Sequence, residues 1–243
     1  MSAGPDVSRA AALERPERIP GIGLLNEKPL HASLKRWYAQ PGDRFEVPVD
    51  GYVVDIVRDG LLLEIQTSSL GSLKSKLATL ARSHRMRLIH PIAREKWIVR
   101  LAQDEGPPVS RRKSPRTGRV EDLFWELVGL ARVFANPNLS LEIVMIREEE
   151  ARRHEPGRRW RRRGWVTHER RLLEVVDRRV FGGPADWLAL LPEGLESFTA
   201  RDLAQALGLR LELAQRMAYF LREAGIVKRI GTRGRAKLYA VGR

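Results

Sequence analysis

Two acidic residues stand inside an otherwise apolar stretch, GYVVDIVRDGLLLEIQT, at residues 51–67. Its Asp59-Gly60 dipeptide is well suited to a two-residue type I′ turn, so the stretch is predicted to fold as a β-hairpin. In that register Asp55 lies opposite Glu64, and opposite residues of an antiparallel pair share a face. The two carboxylates should repel each other, so we expect a divalent cation or a nearby lysine to offset their charge.

Apolar residues surround these acids on both faces of the predicted hairpin. Val53, Val57 and Leu62 share the face of the acids, and the other face is also apolar. In a covered hairpin of this kind, a buried and unpaired carboxylate is costly. The chain has no cysteine and no histidines at ligand spacing, so oxygen ligands and hence Mg²⁺ or Mn²⁺ are favoured. The alternatives are a structural salt bridge or acids solvated on a surface hairpin.

The charge of the chain indicates a polyanionic partner. The 243 residues carry a formal net charge of +14, and residues 151–243 hold 21 Lys and Arg against 10 Asp and Glu. Nucleic acid is the simplest partner for such a chain, although an arginine-rich proteome would also raise the charge. The absence of cysteine, of a signal-peptide core and of a membrane-spanning run predicts a cytoplasmic protein that enters no membrane.

The order of the predicted elements favours an α/β fold in the first half of the chain. Residues 1–22 are interpreted as a flexible tail, and residues 23–148 as one domain in which helices flank a mixed central sheet. The first expected elements are a helix that is capped by Asn26 and ends before Pro41, a strand at 45–49 and the hairpin. A helix opening at Ser68 and Ser69 and the strands RLIHPIA and KWIVRLA should follow. The domain should end with a polar loop at 105–119, a helix at 120–134 and a strand at 139–146.

The second half is predicted to be a winged helix-turn-helix domain. Residues 149–165 are interpreted as a charged linker that passes into a basic arm. Within residues 166–243, an amphipathic helix at 169–181 precedes a short helix capped by Thr199, a turn at Gly208, a longer helix and two strands around a basic tip. That order is typical of the winged helix-turn-helix, which binds DNA or, as the alternative, protein.

Basic and polar residues of this half are the candidates for DNA contacts. The longer helix would enter the major groove, and the wing would meet the phosphate backbone. The run RRWRRRGW is either a phosphate-contacting arm with stacking rings or a pair of core tryptophans flanked by solvated arginines. The DNA-binding candidates are Arg158, Arg159, Arg161, Arg162, Arg163, Arg210, Gln215, Arg216, Tyr219, Arg229, Arg233, Arg235 and Lys237.

The acids and their order resemble the PD-(D/E)XK nuclease superfamily, to which restriction endonucleases and Holliday-junction resolvases belong. Glu27 lies in a helix before the hairpin, Asp55 ends one strand, and Glu64-Ile65-Gln66 lies on the next. The resemblance covers residues 24–148 and implies a restriction-endonuclease-like fold. It also implies that Asp55 and Glu64 bind the metal together with the backbone carbonyl of Ile65, and that Glu27 completes or supports the site.

Gln66 stands where the superfamily usually has lysine. Some restriction endonucleases carry glutamine at this position and cleave DNA, and glutamine can position a water molecule by hydrogen bonds. The lysine can also lie on the following helix, where Lys74 is the preferred candidate over Lys76. The predicted function is a Mg²⁺-dependent DNA endonuclease with Asp55, Glu64, Gln66 and Lys74 as its catalytic residues.

A non-catalytic DNA-binding or regulatory protein on a decayed nuclease scaffold is the alternative, and Gln66 is the residue that favours it. Either protein would act on double-stranded or branched DNA. Because two DNA strands need two active sites, the resemblance also allows for a homodimer.

Overall fold

The computed structural model describes residues 28–103, 107–156 and 164–241. Seven strands form the main sheet: β1 (Arg44–Val49), β2 (Tyr52–Arg58), β3 (Leu61–Ile65), β4 (Arg85–Arg100), β5 (Ser110–Lys113), β6 (Leu139–His154) and β7 (Trp165–Phe181). Their order is β1-β2-β3-β4-β6-β7, and β5 pairs with β4. The positions predicted as the tail at 1–22, as the helix acid Glu27 and as the arm residues Arg158, Arg159, Arg161, Arg162 and Arg163 lie outside the described residues.

The strand directions follow from the connections. Short turns join β1, β2 and β3, which are antiparallel. A 3-10 turn (Leu70–Leu73) and helix α2 (Lys74–Leu80) connect β3 to β4, and this crossover makes the two strands parallel. β6 is parallel to β4 and antiparallel to β7. The sheet is therefore mixed, as predicted.

Helices cover both faces of the sheet. On one face, helix α1 (Pro29–Tyr38) buries Leu34 in a cluster with Ile56 and Ile65. On the other face, Leu77 of α2 packs in a larger cluster that includes Leu62. Burial of apolar side chains in two separate clusters fixes the sheet between its helices. This arrangement confirms the predicted α/β class.

Two strands of the sheet continue well beyond their predicted ends. RLIHPIA and KWIVRLA form one strand, β4, with a register shift between Ala93 and Glu95. β6 continues through Glu148 and Glu150 to His154, so the linker predicted at 149–165 is wrong for residues 149–154. Charged residues fit into this part of the sheet because cations on β4 and β7 pair with the acids of β6.

The amphipathic helix predicted at 169–181 is wrong, because this segment belongs to β7. Val175 and Val176 are β-branched, which favours a strand, and β6 offers a long antiparallel partner. Leu172 and Val175 pack against the cluster beneath α1. The main sheet therefore extends to Phe181 and beyond the predicted boundary at residue 148.

The helix predicted at 120–134 is broken into short turns. A single α-helical turn, α3 (Phe124–Leu127), stands among 3-10 turns at Val120–Leu123, Val128–Leu130 and Val133–Ala135. Gly129 and several β-branched and aromatic residues lower the helix propensity of this segment. Within the loop predicted at 105–119, the residues of β5 pair with the end of β4.

The C-terminal module follows Phe181. It contains α4 (Pro184–Leu188), β8 (Ser197–Thr199), α5 (Ala200–Leu207), α6 (Leu211–Glu223), β9 (Val227–Arg233) and β10 (Ala236–Val241). Its three strands form a small sheet in the order β8-β10-β9. Thr199 caps α5 by accepting a hydrogen bond from the Asp202 amide at 3.3 Å, and Gly208 ends α5 with a φ of 62°, as predicted.

The module and the main sheet share an aromatic cluster. The ring of Phe220 on α6 lies 5.5 Å from that of Phe124, 6.0 Å from that of Phe134 and 4.7 Å from that of Trp187. Aromatic rings at such distances add packing energy beyond their buried area. α6 is therefore held against α3 and the 3-10 turn at Val133–Ala135.

None of the helices in the described part of the chain is long and apolar enough to cross a membrane.

Candidate active site

The hairpin has the predicted turn. Asp59 and Gly60 have φ values of 47° and 77°, and a type I′ turn requires positive φ at both central residues. β2 and β3 pair in the predicted register as far as Ile56 and Leu63. The turn residues thus fix which side chains of the two strands meet.

Three acids lie side by side on three neighbouring strands. The register of β2 with β3 places Asp55 opposite Glu64, and the register of β1 with β2 places Glu46 opposite Asp55. Glu46 has a left-handed φ of 52°, a conformation that costs a non-glycine residue about 1–3 kcal/mol. Glu46, Asp55 and Glu64 are called the acid row below.

Helix α1 supplies partners for Asp55. His31 Nε2 is 3.2 Å from Asp55 Oδ2, and Lys35 Nζ is 3.8 Å from Oδ1. The backbone N–H of Ile65 donates to Oδ2 at 2.8 Å. Burial raises the pKa of Asp55, but the hydrogen bond and charge of His31, followed by the other two donors, outweigh burial and hold the pKa below its usual value. Lys35 is only 2% exposed and also donates to Glu46 at 3.1 Å, so it serves two members of the acid row.

Helix α2 supplies the partner of Glu64. Lys76 Nζ is 2.5 Å from Glu64 Oε1 and donates to the carbonyl of Val53 at 2.7 Å. Glu64 Oε2 is buried and has no hydrogen-bond partner among the described residues. Burial and the negative charge of Asp55 raise the pKa of Glu64 to about 6, against the opposing effect of Lys76. Glu64 is therefore the less well compensated of the two hairpin acids.

The acid row draws its cations from helices on opposite faces of the sheet. In the described part of the chain, Lys35 and Lys76 face three carboxylates. His31 adds a positive charge only when its ring is protonated. When His31 is neutral, the two lysines leave one of the three carboxylate charges without a matching positive charge among the described residues.

Lys76, and not the predicted Lys74, reaches the acids. The two lysines lie about 200° apart around a helix, since consecutive residues are separated by about 100°. Lys74 is exposed and contacts no carboxylate among the described residues, whereas the Lys76 side chain is 13% exposed. The structure thus places Lys76, two residues after the predicted Lys74, beside Glu64, and the helix predicted to open at Ser68 and Ser69 consists of a 3-10 turn followed by α2.

Gln66 is engaged with the turn that precedes α2. Its Nε2 donates to the carbonyl of Ser69 at 2.9 Å and to Ser72 Oγ at 3.2 Å. Its backbone carbonyl accepts from His90 Nδ1 at 2.7 Å. Burial lowers the pKa of His90, so the ring is neutral at pH 7 and its Nε2 carries a lone pair. Gln66 therefore organises the start of α2.

The acid row offers ligands that suit a hard divalent cation. No group of three or more His, Asp or Glu that could hold a metal ion together is found in 28–103, 107–156 and 164–241, and Glu27 lies outside these residues. Asp55 and Glu64 nevertheless present adjacent carboxylates, and Glu64 Oε2 is buried with unused lone pairs. Mg²⁺ and Mn²⁺ prefer such oxygen ligands, so Asp55 and Glu64 are the residues that would hold the ion.

A second group of buried acids lies on the extended part of β6. Lys96 Nζ is 2.9 Å from Glu148 Oε1 and 2.8 Å from Glu150 Oε2. Arg170 Nε is 2.9 Å from Glu148 Oε2, and Arg152 Nε is 2.8 Å from Glu150 Oε1. Burial raises the pKa of Glu150, but these cations lower it to about 2. These five residues are called the ladder network, because they join β4, β6 and β7.

The predicted DNA-binding residues of α6 and of the β9–β10 hairpin have different surroundings. Arg216 is partly engaged within the protein, because its guanidinium lies 4.9 Å from the ring of Trp125 and donates to Glu212 at 3.1 Å, while its side chain remains 37% exposed. The remaining described candidates are exposed, namely Arg210, Gln215, Tyr219, Arg229, Arg233, Arg235 and Lys237.

Three residues of the site were not predicted. His31 and Lys35 are four positions apart on α1, a spacing that puts two side chains on one helix face. That spacing is the feature of the sequence from which the pair could be predicted. Glu46 had no comparable signal, because a single acid in a short strand is usually solvated. Its place in the acid row depends on the pairing of β1 with β2.

The chain belongs to the family described as Domain of unknown function (DUF8091), whose model matches residues 28–182. That range contains the main sheet, the acid row and the ladder network. A protein of Treponema pallidum (strain Nichols), named "Uncharacterized protein", is 34% identical over 221 residues, which are 90% of this chain and 86% of that protein. Because 90% of the chain is more than residues 1–182 contain, this similarity extends into the C-terminal module. No solved structure matches the chain.

Proposed function

We propose that the protein is a metal-dependent DNA endonuclease of the PD-(D/E)XK type. The observation that carries the proposal is the acid row, in which Asp55 and Glu64 are held together in a buried site where the described cations are fewer than the carboxylates. A group that only stabilised the fold would be expected to have its charges fully paired, since unpaired buried charge is costly. The raised pKa of Glu64 supports a site that is built to receive a cation.

Each residue of the site has a distinct part in this proposal. Asp55 and Glu64 would hold Mg²⁺ or Mn²⁺, which when bound lowers the pKa of a water molecule and stabilises negative charge on phosphate oxygens. Lys35 orients Asp55 from α1, and Lys76 orients Glu64 from α2. Lys76 also places a positive charge at the site, as the motif lysine does in the superfamily.

The C-terminal module is proposed to be a winged helix that anchors the chain on double-stranded or branched DNA. Two helices, α5 and α6, are followed by the β9–β10 hairpin, and β8 completes a small sheet. This is the element order of a winged helix-turn-helix. The net positive charge of residues 151–243 supports a polyanionic partner. A homodimer, in which two sites cut two strands, is part of the same proposal and depends on the resemblance alone.

A second candidate is a non-catalytic DNA-binding protein on the same scaffold. It is favoured by Gln66, whose side chain bonds Ser69 and Ser72. In that protein Lys35 and Lys76 would neutralise the acids without a metal.

A cleavage assay distinguishes the two candidates. Plasmid, linear, single-stranded and branched DNA would be incubated with Mg²⁺ or Mn²⁺ and with wild type, Asp55→Asn or Glu64→Gln. We expect metal-dependent cleavage by wild type and a loss of more than about 100-fold in either variant, since even outer-shell changes at metal sites cost about 10–100-fold. No metal-dependent cleavage of any substrate, or cleavage by both variants at the wild-type rate, would overturn the endonuclease.

The lysines provide a matched pair of variants. Lys76→Met should lower the cleavage rate by about 100-fold, the scale of losing one electrostatic stabiliser. Lys74→Met, two positions away on the same helix, should leave the rate unchanged. Equal effects of the two substitutions would show that Lys76 has no special role.

A further inference from the structure

Helix α6 of the C-terminal module packs against α3 and the 3-10 turns beside it, which cover one face of the main sheet. Phe220 enters the shared aromatic cluster, and Arg216 stacks on Trp125 of α3. At the C-terminal end of α6, Glu223 accepts a hydrogen bond from Arg132 at 2.9 Å. Both polar contacts border the exposed side of α6. One flank of the helix is therefore covered by the main sheet and its turns.

The exposed stripe of α6 is flanked by two cations, since Arg210 at the N-cap is exposed and Arg222 lies over the Tyr219 ring at 5.5 Å. Its members Leu211, Gln215 and Tyr219 are uncharged, and Leu211 and Tyr219 are 42% and 39% exposed. Glu212, on the same side of the helix, is acidic and exposed. Binding to DNA phosphates requires several cations, so this side of α6, with the acid Glu212 beside its arginines, is less suited to it than a surface that carries cations alone.

The β9–β10 hairpin has the opposite character. Residues 227–241 contain five Lys or Arg and no Asp or Glu. All five side chains are exposed: Lys228, Arg229, Arg233, Arg235 and Lys237. Within the described residues only Arg233 pairs with an acid, donating to Asp202 at 2.9 Å. The other four are available to an external anion.

We infer that the β9–β10 hairpin, and not helix α6, is the surface that contacts duplex DNA, and that it binds the phosphate backbone without reading the base sequence. This inference rests on the proposed function, because it takes DNA as the partner. It assigns the main contact to Arg229, Arg235 and Lys237, and it withdraws Arg210, Gln215, Arg216 and Tyr219 as base-reading residues. A backbone contact of this kind positions a protein on DNA but carries no sequence information.

The test compares two triple variants of the full chain that carry Asp55→Asn as well, in the absence of divalent metal. One replaces Arg229, Arg235 and Lys237 with Gln, and its matched control changes α6 by Arg210→Gln, Gln215→Ala and Tyr219→Ala. Arg233 is kept because it pairs with Asp202. Fluorescence anisotropy with labelled 20-base-pair duplexes of unrelated sequence, over a range of salt concentrations, gives affinity and salt dependence.

We expect the hairpin variant to bind more than tenfold more weakly at low salt. Its plot of log affinity against log salt should lose about 3 units of slope, since each neutralised phosphate contributes about 0.9. The α6 variant should bind within about twofold of its parent, and the parent should bind unrelated duplexes equally well. Unchanged thermal midpoints for both variants establish that they are folded.

The inference would be overturned if the α6 variant lost binding while the hairpin variant kept it. It would also be overturned by a strong sequence preference that disappears in the α6 variant. A third contrary outcome is tighter binding of duplex RNA than of duplex DNA in the same assay. The cleavage assay separates this inference from the proposed function. Asp55-dependent cleavage with hairpin-independent binding overturns the hairpin assignment alone. Hairpin-dependent binding by a chain that never cleaves supports the assignment and overturns the endonuclease.

Discussion

The acid row and the ladder network are both groups of buried acids on the main sheet, yet their charges are compensated to different extents. In the ladder network, every oxygen of Glu148 and Glu150 lies 2.8 or 2.9 Å from a cation, and Glu148 Oε1, which accepts no hydrogen bond among the described residues, still has the charge of Lys96 at 2.9 Å. In the acid row, Glu64 has one cation at Oε1 and no hydrogen-bond partner at Oε2 within the described chain.

The pKa values of Glu150 and Glu64 differ in the direction that this compensation predicts. The pKa of Glu150 falls to about 2, and that of Glu64 rises to about 6. Burial alone raises the pKa of any carboxyl, so the number and position of the cations decide the direction of the shift. The comparison teaches that fully paired buried acids stabilise a fold, whereas underpaired ones weaken it and are better explained by function.

Removal of the central lysine of the ladder network should have the largest effect. Lys96→Met takes a cation from both Glu148 and Glu150, and breaking a buried ion pair in this way costs about 3–5 kcal/mol. Urea unfolding at pH 7 measures the loss. The matched control is Lys113→Met, since Lys113 pairs with Glu95 on the surface and an exposed pair contributes at most about 1 kcal/mol. Similar losses for the two variants would contradict the contrast between buried and exposed pairs.

Neutralisation of Glu150 should have the next largest effect. Its folded pKa of about 2 lies below the ordinary 4.5, so its charge stabilises the fold above about pH 4.5 and this contribution is lost as the pH falls towards 2. Glu150→Gln should therefore reduce the free energy of unfolding at pH 7 by roughly 3 kcal/mol, at about 1.4 kcal/mol per pKa unit. The difference from wild type should shrink in unfolding curves recorded at progressively lower pH. A constant difference from pH 7 down to pH 2 would contradict the assigned cause.

Neutralisation of Glu64 should have a smaller effect of opposite sign. Its folded pKa of about 6 lies above the ordinary 4.5, so ionisation of Glu64 destabilises the fold as the pH rises from 4.5 through 6. Glu64→Gln should raise the free energy of unfolding by about 2 kcal/mol above pH 6 and by almost nothing below pH 4.5. The same unfolding curves, extended to pH 8, provide the measurement. A loss of stability at pH 8 would place Glu64 with the structural acids of the ladder network.

Together with the cleavage assay, Glu64→Gln gives a sharper result than either experiment alone. A variant that is more stable and less active cannot owe its lost activity to unfolding. Such a trade of stability against activity is typical of residues kept for function.

The parts of the molecule that could be predicted are those set by local chemistry. The Asp59-Gly60 turn fixed the hairpin register, because two residues with positive φ determine which strand positions meet. Thr199 and Gly208 marked the ends of α5 for a similar reason, since caps act through neighbouring backbone groups.

The predictions that differ from the structure concern features that depend on contacts with residues distant in sequence. Residues 169–181 have apolar residues that fit a helix as well as a strand, and the pairing with β6 selects the strand. Lys74 was preferred for its neighbours in sequence, whereas the lysine that reaches Glu64 is Lys76, and this depends on how α2 packs against the sheet. Lys35 was missed because its burial depends on β1 and β2.

The parallel pairing of β4 with β6 also affects the order in which the chain can fold. This ladder joins Met86 to Leu139, which are far apart in sequence, whereas the strands of the β2–β3 hairpin are joined by a two-residue turn. Closing a long loop costs chain entropy before the contacts that it allows can form. We therefore expect local hairpins to form first and the β4–β6 ladder to form late. The acids of the hairpin are then still hydrated when their strands first pair. We expect the loss of that hydration to follow, when α1 and α2 cover the acids, so the unfavourable burial of charge would fall on a step after hairpin formation.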